Sequence, residues 1–363
     1  MKVGLVSYDF GEYCVRLASA LAAMADVTLL LPGQLAGPHL PALDPRVKFE
    51  PFDKPRLRQA GSQLRVSFDL MGRLKAFDPD VIHVQQGHLW FNAFLPLLRR
   101  YPLVLTVHDP RQHLGDHGGQ KTPQAMMDFG FRRASRLIVH AEQSKQVVVS
   151  QCGAPADIVD VVPHISLGDS PSAMPPDDGS TVLFFGRIWE YKGLEYLIRA
   201  EPLITAEIPH ARIVIAGKGE DFARYRRMMV HPDRFTVYDE FVPEDRCSEL
   251  FQQASLVVLP YVEASQSGVI PMAYTFMKPV VATMVGGLPE MVEDGRTGYL
   301  VPPRDERSLA AAVVRLLRNR SLRRQLGLNG KRKLDAQCAP PVIAQQTFDV
   351  YSRALYRRPG TTH

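Results

Sequence analysis

The sequence has few cysteines and no long apolar run. None of its apolar stretches approaches the ~20 residues that a membrane-spanning helix needs. Its four cysteines lie far apart and form no Cys-x-x-Cys pair, which argues against a disulfide framework and against a zinc site. The first residues lead directly into a strand pattern, so we expect no signal peptide and a cytoplasmic protein with reduced thiols.

The sequence also lacks the glycine fingerprint of a nicotinamide-dependent dehydrogenase. Such an enzyme needs Gly-x-Gly-x-x-Gly after its first strand, and residues 7–12 read Ser-Tyr-Asp-Phe-Gly-Glu. No short repeat or low-complexity segment is present. At 363 residues, with 45% hydrophobic and 22% charged side chains, the chain is long enough for two α/β domains.

The net charge of +5 is partly local. Two interpretations stay open for the basic stretch 54–75, a solvated helix face or a peripheral contact with an anionic membrane at its inner face. Nucleic acid is not expected as a partner, because no basic–aromatic alternation accompanies the charge. Asp69 is the one acidic residue of this stretch, and its basic residues are Lys54, Arg56, Arg58, Arg65, Arg73 and Lys75.

Short β-branched runs alternate with helical stretches over nearly the whole chain. Continuous apolar runs are typical of parallel strands buried on both faces. The Pro- and Gly-rich segment 170–180 interrupts the alternation, as a linker would. We therefore predict two doubly wound halves whose sheets face a ligand cleft. The predicted strands are Val3–Ser7, Val27–Leu31, Val81–Val84, Leu103–Val107, Leu137–His140, Ile158–Val162, Val182–Phe185, Arg212–Ala216, Phe235–Tyr238, Leu256–Leu259 and Val280–Thr283.

The first chemistry-bearing motif is Gly186 and Arg187 with Lys192, directly after a predicted strand. The start of the next helix offers free backbone N–H groups and the positive end of the helix dipole, to which the two cations add. This arrangement predicts a site for a phosphate-bearing ligand. The alternative is an Arg and a Lys on an ordinary surface loop.

A second motif also places a small polar turn between a strand and a helix. Ser265 or Ser267 can cap that helix, and Gly268 lets a phosphate approach the free N–H groups. Glu263 is a candidate acceptor for ribose hydroxyls, or else a solvated carboxylate. The candidate donor-binding residues of this motif are Glu263, Ser265, Gln266, Ser267, Gly268 and Val269.

Together the motifs resemble family 4 glycosyltransferases, retaining enzymes with the two-Rossmann GT-B fold. The resemblance covers nearly the whole chain and includes the segments 106–109, 161–164, 186–193, 216–220, 279–283 and 286–290. It implies that Arg187 and Lys192 hold the donor diphosphate and that His108 lies near the transferred sugar. It further implies that the loop around Gly11 faces the phosphates and that Phe241 and Val242 border the nucleobase.

The sequence departs from the family pattern in two places. The N-terminal loop, residues 8–12, has one glycine where many members have two. Where most members carry two glutamates with seven residues between them, this chain has Ala264 and Met272, which leaves Glu263 as the candidate substitute. The donor nucleotide, the sugar and the acceptor are therefore open. We predict the domains 1–168 and 169–345, with a C-terminal helix at 346–363 that returns to the first domain.

The expected reaction is transfer of a sugar, with retention, from a nucleoside-diphosphate sugar to a glycan, lipid-linked or small-molecule acceptor. No cofactor or metal is expected, because the one Asp-x-Asp triplet, 78–80, precedes a strand of the first half and is interpreted as a turn. His113, Asp116 and His117 are interpreted as part of an acceptor-side loop. A non-catalytic relative that binds a sugar nucleotide as a partner or scaffold is the alternative function.

Overall fold

The computed structural model describes residues 1–111, 122–175, 177–219 and 221–356, apart from the side chain of Glu244. The predicted loop cluster of His113, Asp116 and His117 lies outside these residues. Contacts divide the described chain into two compact units. Unit 1 holds residues 1–111, 122–165 and 337–356, and unit 2 holds the described residues of 166–336. The predicted boundaries follow residues 168 and 345, whereas the contacts divide the chain after 165 and 336.

The strands of the described chain follow the predicted β/α alternation. In chain order they are β1 (Lys2–Ser7), β2 (Asp26–Pro32), β3 (Lys48–Phe52), β4 (Val81–Gln85), β5 (Leu103–Val107), β6 (Arg136–Val139), β7 (Val159–Val161), β8 (Thr181–Phe185), β9 (Arg212–Ala216), β10 (Phe235–Tyr238), β11 (Leu256–Leu259), β12 (Val280–Thr283) and β13 (Gly298–Val301).

The α-helices fill the connections between these strands and close the chain. They are α1 (Gly11–Leu21), α2 (Gly33–Ala36), α3 (Ala60–Phe77), α4 (Leu89–Phe94), α5 (Gln124–Arg133), α6 (Glu142–Cys152), α7 (Leu194–Glu207), α8 (Ala223–Arg226), α9 (Glu244–Gln253), α10 (Val269–Thr275), α11 (Leu288–Met291), α12 (Glu306–Arg318), α13 (Arg320–Cys338) and α14 (Pro340–Tyr356).

Unit 1 is built on one parallel sheet with the strand order β3-β2-β1-β4-β5-β6-β7. The inner strands β4 and β5 are buried along their whole length, as their largely apolar sequences predict, and this burial includes the polar side chains of His83, Gln85 and Thr106. Helix α1 buries the stripe Cys14, Leu17, Ala18 and Leu21, whose i, i+3, i+4, i+7 spacing puts all four on one face. Helix α14 also packs on this unit, against α1 and the strands β4 to β6.

Unit 2 repeats the design with the strand order β10-β9-β8-β11-β12-β13, again all parallel. Its core lies between the sheet and helices such as α7 and α12. In both sheets the strand order reverses next to the first strand, between β1 and β4 and between β8 and β11. In open α/β sheets ligands bind at such reversals, outside the carboxyl ends of the strands.

Two strands were missing from the sequence prediction. The edge strand β3 reads Lys-Phe-Glu-Pro-Phe, and its charges and proline hide the strand pattern, although an edge position tolerates both. The other, β13, is short and starts with Gly298. The prediction also ended β6 one residue late, because His140 lies just beyond the last paired residue of that strand.

Candidate functional site

The two predicted motifs of unit 2 come together at the reversal of its sheet. Gly186, Arg187 and Lys192 follow β8, the turn 265–269 follows β11, and these strands are hydrogen-bonded neighbours. A Cβ added at Gly186 would lie 3.7 Å from Cγ2 of Val269, so the motifs nearly touch. The anion-binding groups predicted from the sequence therefore share one edge of one sheet.

Backbone contacts fix the loop after β8 against the loop after β11. The amide of Val262 donates to the carbonyl of Tyr191 across 2.8 Å. Gly193 has φ 63°, and a Cβ at this position would overlap the carbonyl oxygen of Pro260. Only glycine meets both demands without strain. The close approach holds Lys192, the preceding residue, beside the end of β11.

Two buried tyrosines place the cationic side chains. Lys192 Nζ lies 3.8 Å from the ring centroid of Tyr261 and 4.9 Å from that of Tyr191. Arg187 donates from Nη2 to the Tyr191 hydroxyl across 3.0 Å. A cation over an aromatic face gains about 0.5–2 kcal/mol and keeps its full charge. Among the described residues no carboxylate forms an ion pair with Lys192, so its charge is available to an anion.

The turn 265–269 offers polar groups from both backbone and side chains. Ser267 Oγ accepts a hydrogen bond from the amide of Val269 across 3.2 Å, at the start of α10. The carbonyl of Ser265 accepts from Gly287 across 3.2 Å, which ties the turn to the loop after β12. Gln266 Oε1 is buried and has no hydrogen-bond partner among the described residues. It is an acceptor that a bound ligand can satisfy.

The other predicted donor-binding residues of unit 2 lie around this centre. Glu263 is half-buried, and its amide is 3.4 Å from the Tyr191 carbonyl. Phe241 and Val242 follow β10, two strands from β8, and the Phe241 side chain is 84% exposed. An exposed aromatic ring at this edge is suited to stacking on a planar group.

In unit 1 the predicted residues Gly11 and His108 also lie at the reversal of the sheet. Gly11 is the first residue of α1, directly after Phe10, which has φ 61°. The Phe10 ring stacks on the His108 imidazole with centroids 3.8 Å apart and an interplanar angle of 13°. The first loop of the unit and the end of β5 therefore form one surface.

His108 belongs to a buried group of histidines. It is 1% exposed, with Nδ1 3.2 Å from His140 Nε2 and Nε2 2.9 Å from Gln85 Oε1. Burial, followed by the charges of His140, His164 and His83, lowers the pKa of His108 well below 6.5. Burial likewise lowers the pKa of His140 to about 3. Both rings are therefore neutral near pH 7.

Sequence reasoning missed several residues that shape these sites, namely Tyr191, Tyr261, Phe10 and His140. Tyr261, Phe10 and His140 contact residues that follow other strands, which local patterns do not reveal. The cations beside the Tyr191 side chain lie in its own loop. One signal was available, because His108 directly follows a predicted buried strand and His140 is the last residue of another. Parallel neighbours bring such strand-end residues together.

The described residues contain neither a metal-binding cluster nor a helix that could span a membrane. No three His, Cys, Asp or Glu side chains there are placed to hold a metal ion. No helix in the same part of the chain is both long and apolar enough to cross a bilayer.

Comparison with solved structures identifies the fold as GT-B. Sucrose-phosphate synthase from Thermosynechococcus elongatus superposes with a TM-score of 0.74 at 20% identity, covering 98% of this chain and all of that one. HepE from Anabaena, in complex with UDP and glucose, gives a TM-score of 0.73 at 20% identity, covering 97% and 99%. At this identity the likeness establishes the architecture alone.

Sequence comparison establishes the family. Residues 11–165 match the model "Glycosyltransferase Family 4", and residues 179–319 match "Glycosyl transferases group 1". An uncharacterized glycosyltransferase of Methanocaldococcus jannaschii is 30% identical over 304 residues, 76% of each chain. A D-inositol 3-phosphate glycosyltransferase of Mycobacterium tuberculosis is 32% identical over 270 residues, 66% of this chain but 54% of its own length. The chain belongs to the group 1, family 4 glycosyltransferases, which confirms the resemblance seen in the sequence.

Proposed function

We propose that this glycosyltransferase transfers a hexose from a nucleoside-diphosphate sugar and that unit 2 binds the donor. The supporting observation is the convergence of Arg187, Lys192 and the turn 265–269 at the reversal of one sheet. Two cations beside the start of α10 suit a diphosphate, whereas the unpartnered Gln266 Oε1 is an acceptor and suits a hydroxyl of the donor's sugar or ribose. HepE was solved with UDP and with UDP-glucose, so a uridine nucleotide is the first donor to test.

In the proposed reaction the site acts on the leaving group. The bond from the anomeric carbon to the phosphate oxygen breaks, and the diphosphate gains negative charge. Arg187 and Lys192 are already positioned by Tyr191 and Tyr261. They therefore stabilise that charge without reorganising, and they bind the transition state more strongly than the ground state.

The transfer is proposed to retain the anomeric configuration. The acceptor hydroxyl attacks from the face that the diphosphate leaves, and a departing phosphate oxygen takes the acceptor proton. No enzyme nucleophile is needed in this scheme. In the alternative, a double displacement, an enzyme carboxylate attacks the anomeric carbon. Glu263 is the carboxylate that we place near the donor, so it would have to be that nucleophile. We assign Glu263 to the ribose hydroxyls instead.

No metal ion or organic cofactor is part of the proposal, because the two fixed cations neutralise the diphosphate. Activity is therefore expected to survive a chelator. Loss of activity that magnesium restores would overturn the metal-free scheme but not the sugar transfer.

The acceptor is proposed to bind unit 1, near Gly11 and His108. Its class is a glycan, a lipid-linked saccharide or a small molecule. The relatives named D-inositol 3-phosphate glycosyltransferases are named after a small phosphorylated compound. A panel of acceptors should therefore include small phosphorylated polyols.

A peripheral membrane contact is proposed for α3. Its solvent face exposes Phe68 by 59% and Leu64 by 40%. The helical repeat puts the exposed Arg65 and Lys75 on the same face. Aromatic and aliphatic side chains beside cations suit the interface of an anionic bilayer.

The proposed function is tested with the purified full chain and a panel of nucleotide sugars. Stabilisation against heat identifies the donor, because a ligand that binds only the folded state raises the melting temperature. Release of the nucleoside diphosphate, with or without an added acceptor, then measures the reaction. A stabilising donor with no turnover across the acceptor panel would favour the scaffold function. No stabilisation by any nucleotide would contradict the donor site.

A further inference from the structure

A chain of buried hydrogen bonds crosses the sheet of unit 1 and begins on the C-terminal helix. The Tyr351 hydroxyl on α14 lies 2.6 Å from His83 Nδ1 on β4. His83 Nε2 lies 2.7 Å from Thr106 Oγ1 and 3.2 Å from the Gln85 amide. All four side chains are at most 1% exposed. Solvent is therefore excluded from this first half of the hydrogen-bond network, from Tyr351 to Gln85.

The second half leads to the candidate site. The Gln85 amide lies 2.9 Å from His108 Nε2, and His108 Nδ1 lies 3.2 Å from His140 Nε2. His140 Nδ1 ends the chain 2.9 Å from the carbonyl oxygen of Val162. Every ring nitrogen of His83, His108 and His140 therefore has a protein partner.

The direction of these bonds follows from the Val162 end. A carbonyl oxygen only accepts, so His140 carries its proton on Nδ1. Burial keeps His140 neutral, with a pKa of about 3, so its Nε2 is a lone pair. His108 must then donate from Nδ1. Because burial and the neighbouring histidines also keep His108 neutral, its Nε2 is an acceptor that needs a donor.

The structure places Gln85 Oε1 towards His108 Nε2 and Gln85 Nε2 towards His83 Nε2. Gln85 supplies the donor that His108 needs once this amide is turned by half a turn, so that its –NH₂ group faces His108. The oxygen and nitrogen of an amide exchange places by a half-turn of the group. Its carbonyl then accepts from His83 Nε2, and His83 Nδ1 accepts from the Tyr351 hydroxyl. With the oxygen towards His108 instead, His108 Nε2 would face an acceptor, and His108 would have to be an imidazolium. Of the two orientations of Gln85, only the first gives every ring nitrogen of a neutral His108 and His140 a matching partner.

We propose that Tyr351 and His83 are positioning residues which, through Gln85, hold His108 as its neutral Nδ1–H tautomer in the candidate site of unit 1. The role of His108 in sugar transfer rests on the proposed function, whereas the tautomer of His108 does not depend on it. The proposal assigns His108 no part in proton transfer, because both ring nitrogens are occupied. It also makes α14 a contributor to the site, although Tyr351 is 268 residues from His83 in sequence.

The tautomer is tested directly in the unliganded full chain. Histidine side chains labelled with ¹⁵N report by NMR which ring nitrogen carries the proton, and single His→Gln variants assign the signals. At pH 7.5 the expected state of His108 is protonated Nδ1 and unprotonated Nε2. A proton on Nε2, in the other tautomer or in an imidazolium, would overturn the proposal. This readout needs neither donor nor turnover, so it stands even if the proposed function fails.

The positioning role is tested with Tyr351→Phe against Tyr274→Phe. Tyr274 is also buried, and its hydroxyl bonds Thr297 across 2.7 Å, but it lies in unit 2. Tyr351→Phe loses its hydrogen bond to His83, and Tyr274→Phe loses the bond to Thr297 and a longer one, of 3.4 Å, to the Met291 carbonyl. The control should therefore lose at least as much stability. Tyr351→Phe alone should lower kcat, by about tenfold, with little change in KM for the sugar nucleotide. Without the Tyr351 hydroxyl proton, nothing fixes the tautomer of His83 or the orientation of the Gln85 amide. Equal kcat values in the two variants would refute the role.

A second variant covers the case in which Tyr351→Phe does not fold. Thr106→Val keeps the side-chain shape and removes one of the two partners of His83 Nε2. The expected result is a smaller loss of kcat together with changed ¹⁵N signals of His83 and His108. Unchanged signals of both rings would contradict the proposed coupling.

Discussion

The buried histidines should make unit 1 acid-sensitive. Burial lowers the pKa of both His83 and His140 to about 3. Burial, and then the charge of Lys54, lowers the pKa of His88 to about 4. The ordinary value of 6.5 applies to the unfolded chain. The unfolded state therefore binds more protons than the folded state below about pH 6.5, and the stability present above that pH is lost as pH falls.

The size of the effect follows from proton linkage. Lowering the pH from 7.5 to 5.5 costs about 1.4 kcal/mol of folding free energy for each histidine that stays neutral when folded. The three histidines together amount to about 4 kcal/mol, a large part of the 5–15 kcal/mol that holds a typical domain folded. The described histidines of unit 2, His210 and His231, are exposed rather than buried.

The two tryptophans of the chain allow the units to be followed separately, because Trp90 lies in unit 1 and Trp189 in unit 2. In Trp189→Phe, urea unfolding followed by the remaining tryptophan reports on unit 1, and Trp90→Phe reports on unit 2. We expect the unit 1 midpoint to fall strongly between pH 7.5 and 5.5 and the unit 2 midpoint to fall much less. Equal shifts in both units, or no shift in unit 1, would refute the assignment of neutral buried histidines.

Two further predictions concern the loop geometry and the exposed helix face. Gly193→Ala should lower the free energy of unfolding by over ~1 kcal/mol more than the control Gly295→Ala does. Both glycines have positive φ, but only a Cβ at position 193 overlaps Pro260. Equal losses in urea unfolding would contradict the close approach. Phe68→Ser should weaken sedimentation with vesicles of anionic lipid, and added salt should weaken it further in both proteins through the cations near Arg65. Binding that neither change affects would leave α3 as ordinary surface.

The fold was largely predictable because buried parallel strands read as continuous apolar runs. Five of the predicted strands, including Arg212–Ala216 and Leu256–Leu259, match the observed bounds. The edge strand Lys48–Phe52 was not predicted, because a strand at the edge of a sheet can carry charged residues and proline and so lacks a continuous apolar run.

The candidate site was predictable only where its chemistry is local. Arg187 and Lys192 stand in one short segment after a strand, so their sequence context reveals them. The ring of Tyr261 under Lys192 depends on β11 lying beside β8, and the bond from Tyr351 to His83 depends on how the last helix packs. Strand order and helix docking are properties of the whole chain, and no local spacing encodes them.

The central claim is that Arg187 and Lys192 stabilise the charge on a donor diphosphate. Its most direct test compares kcat/KM for the donor in Arg187→Ala, Lys192→Ala and the control Arg199→Ala, a cation on the exposed face of α7 that pairs with Glu195. We expect each of the first two variants to lose about 3 kcal/mol of transition-state stabilisation, roughly 100-fold, while melting temperatures stay near wild type and the control keeps its activity. Wild-type kcat/KM in either Arg187→Ala or Lys192→Ala would contradict the account.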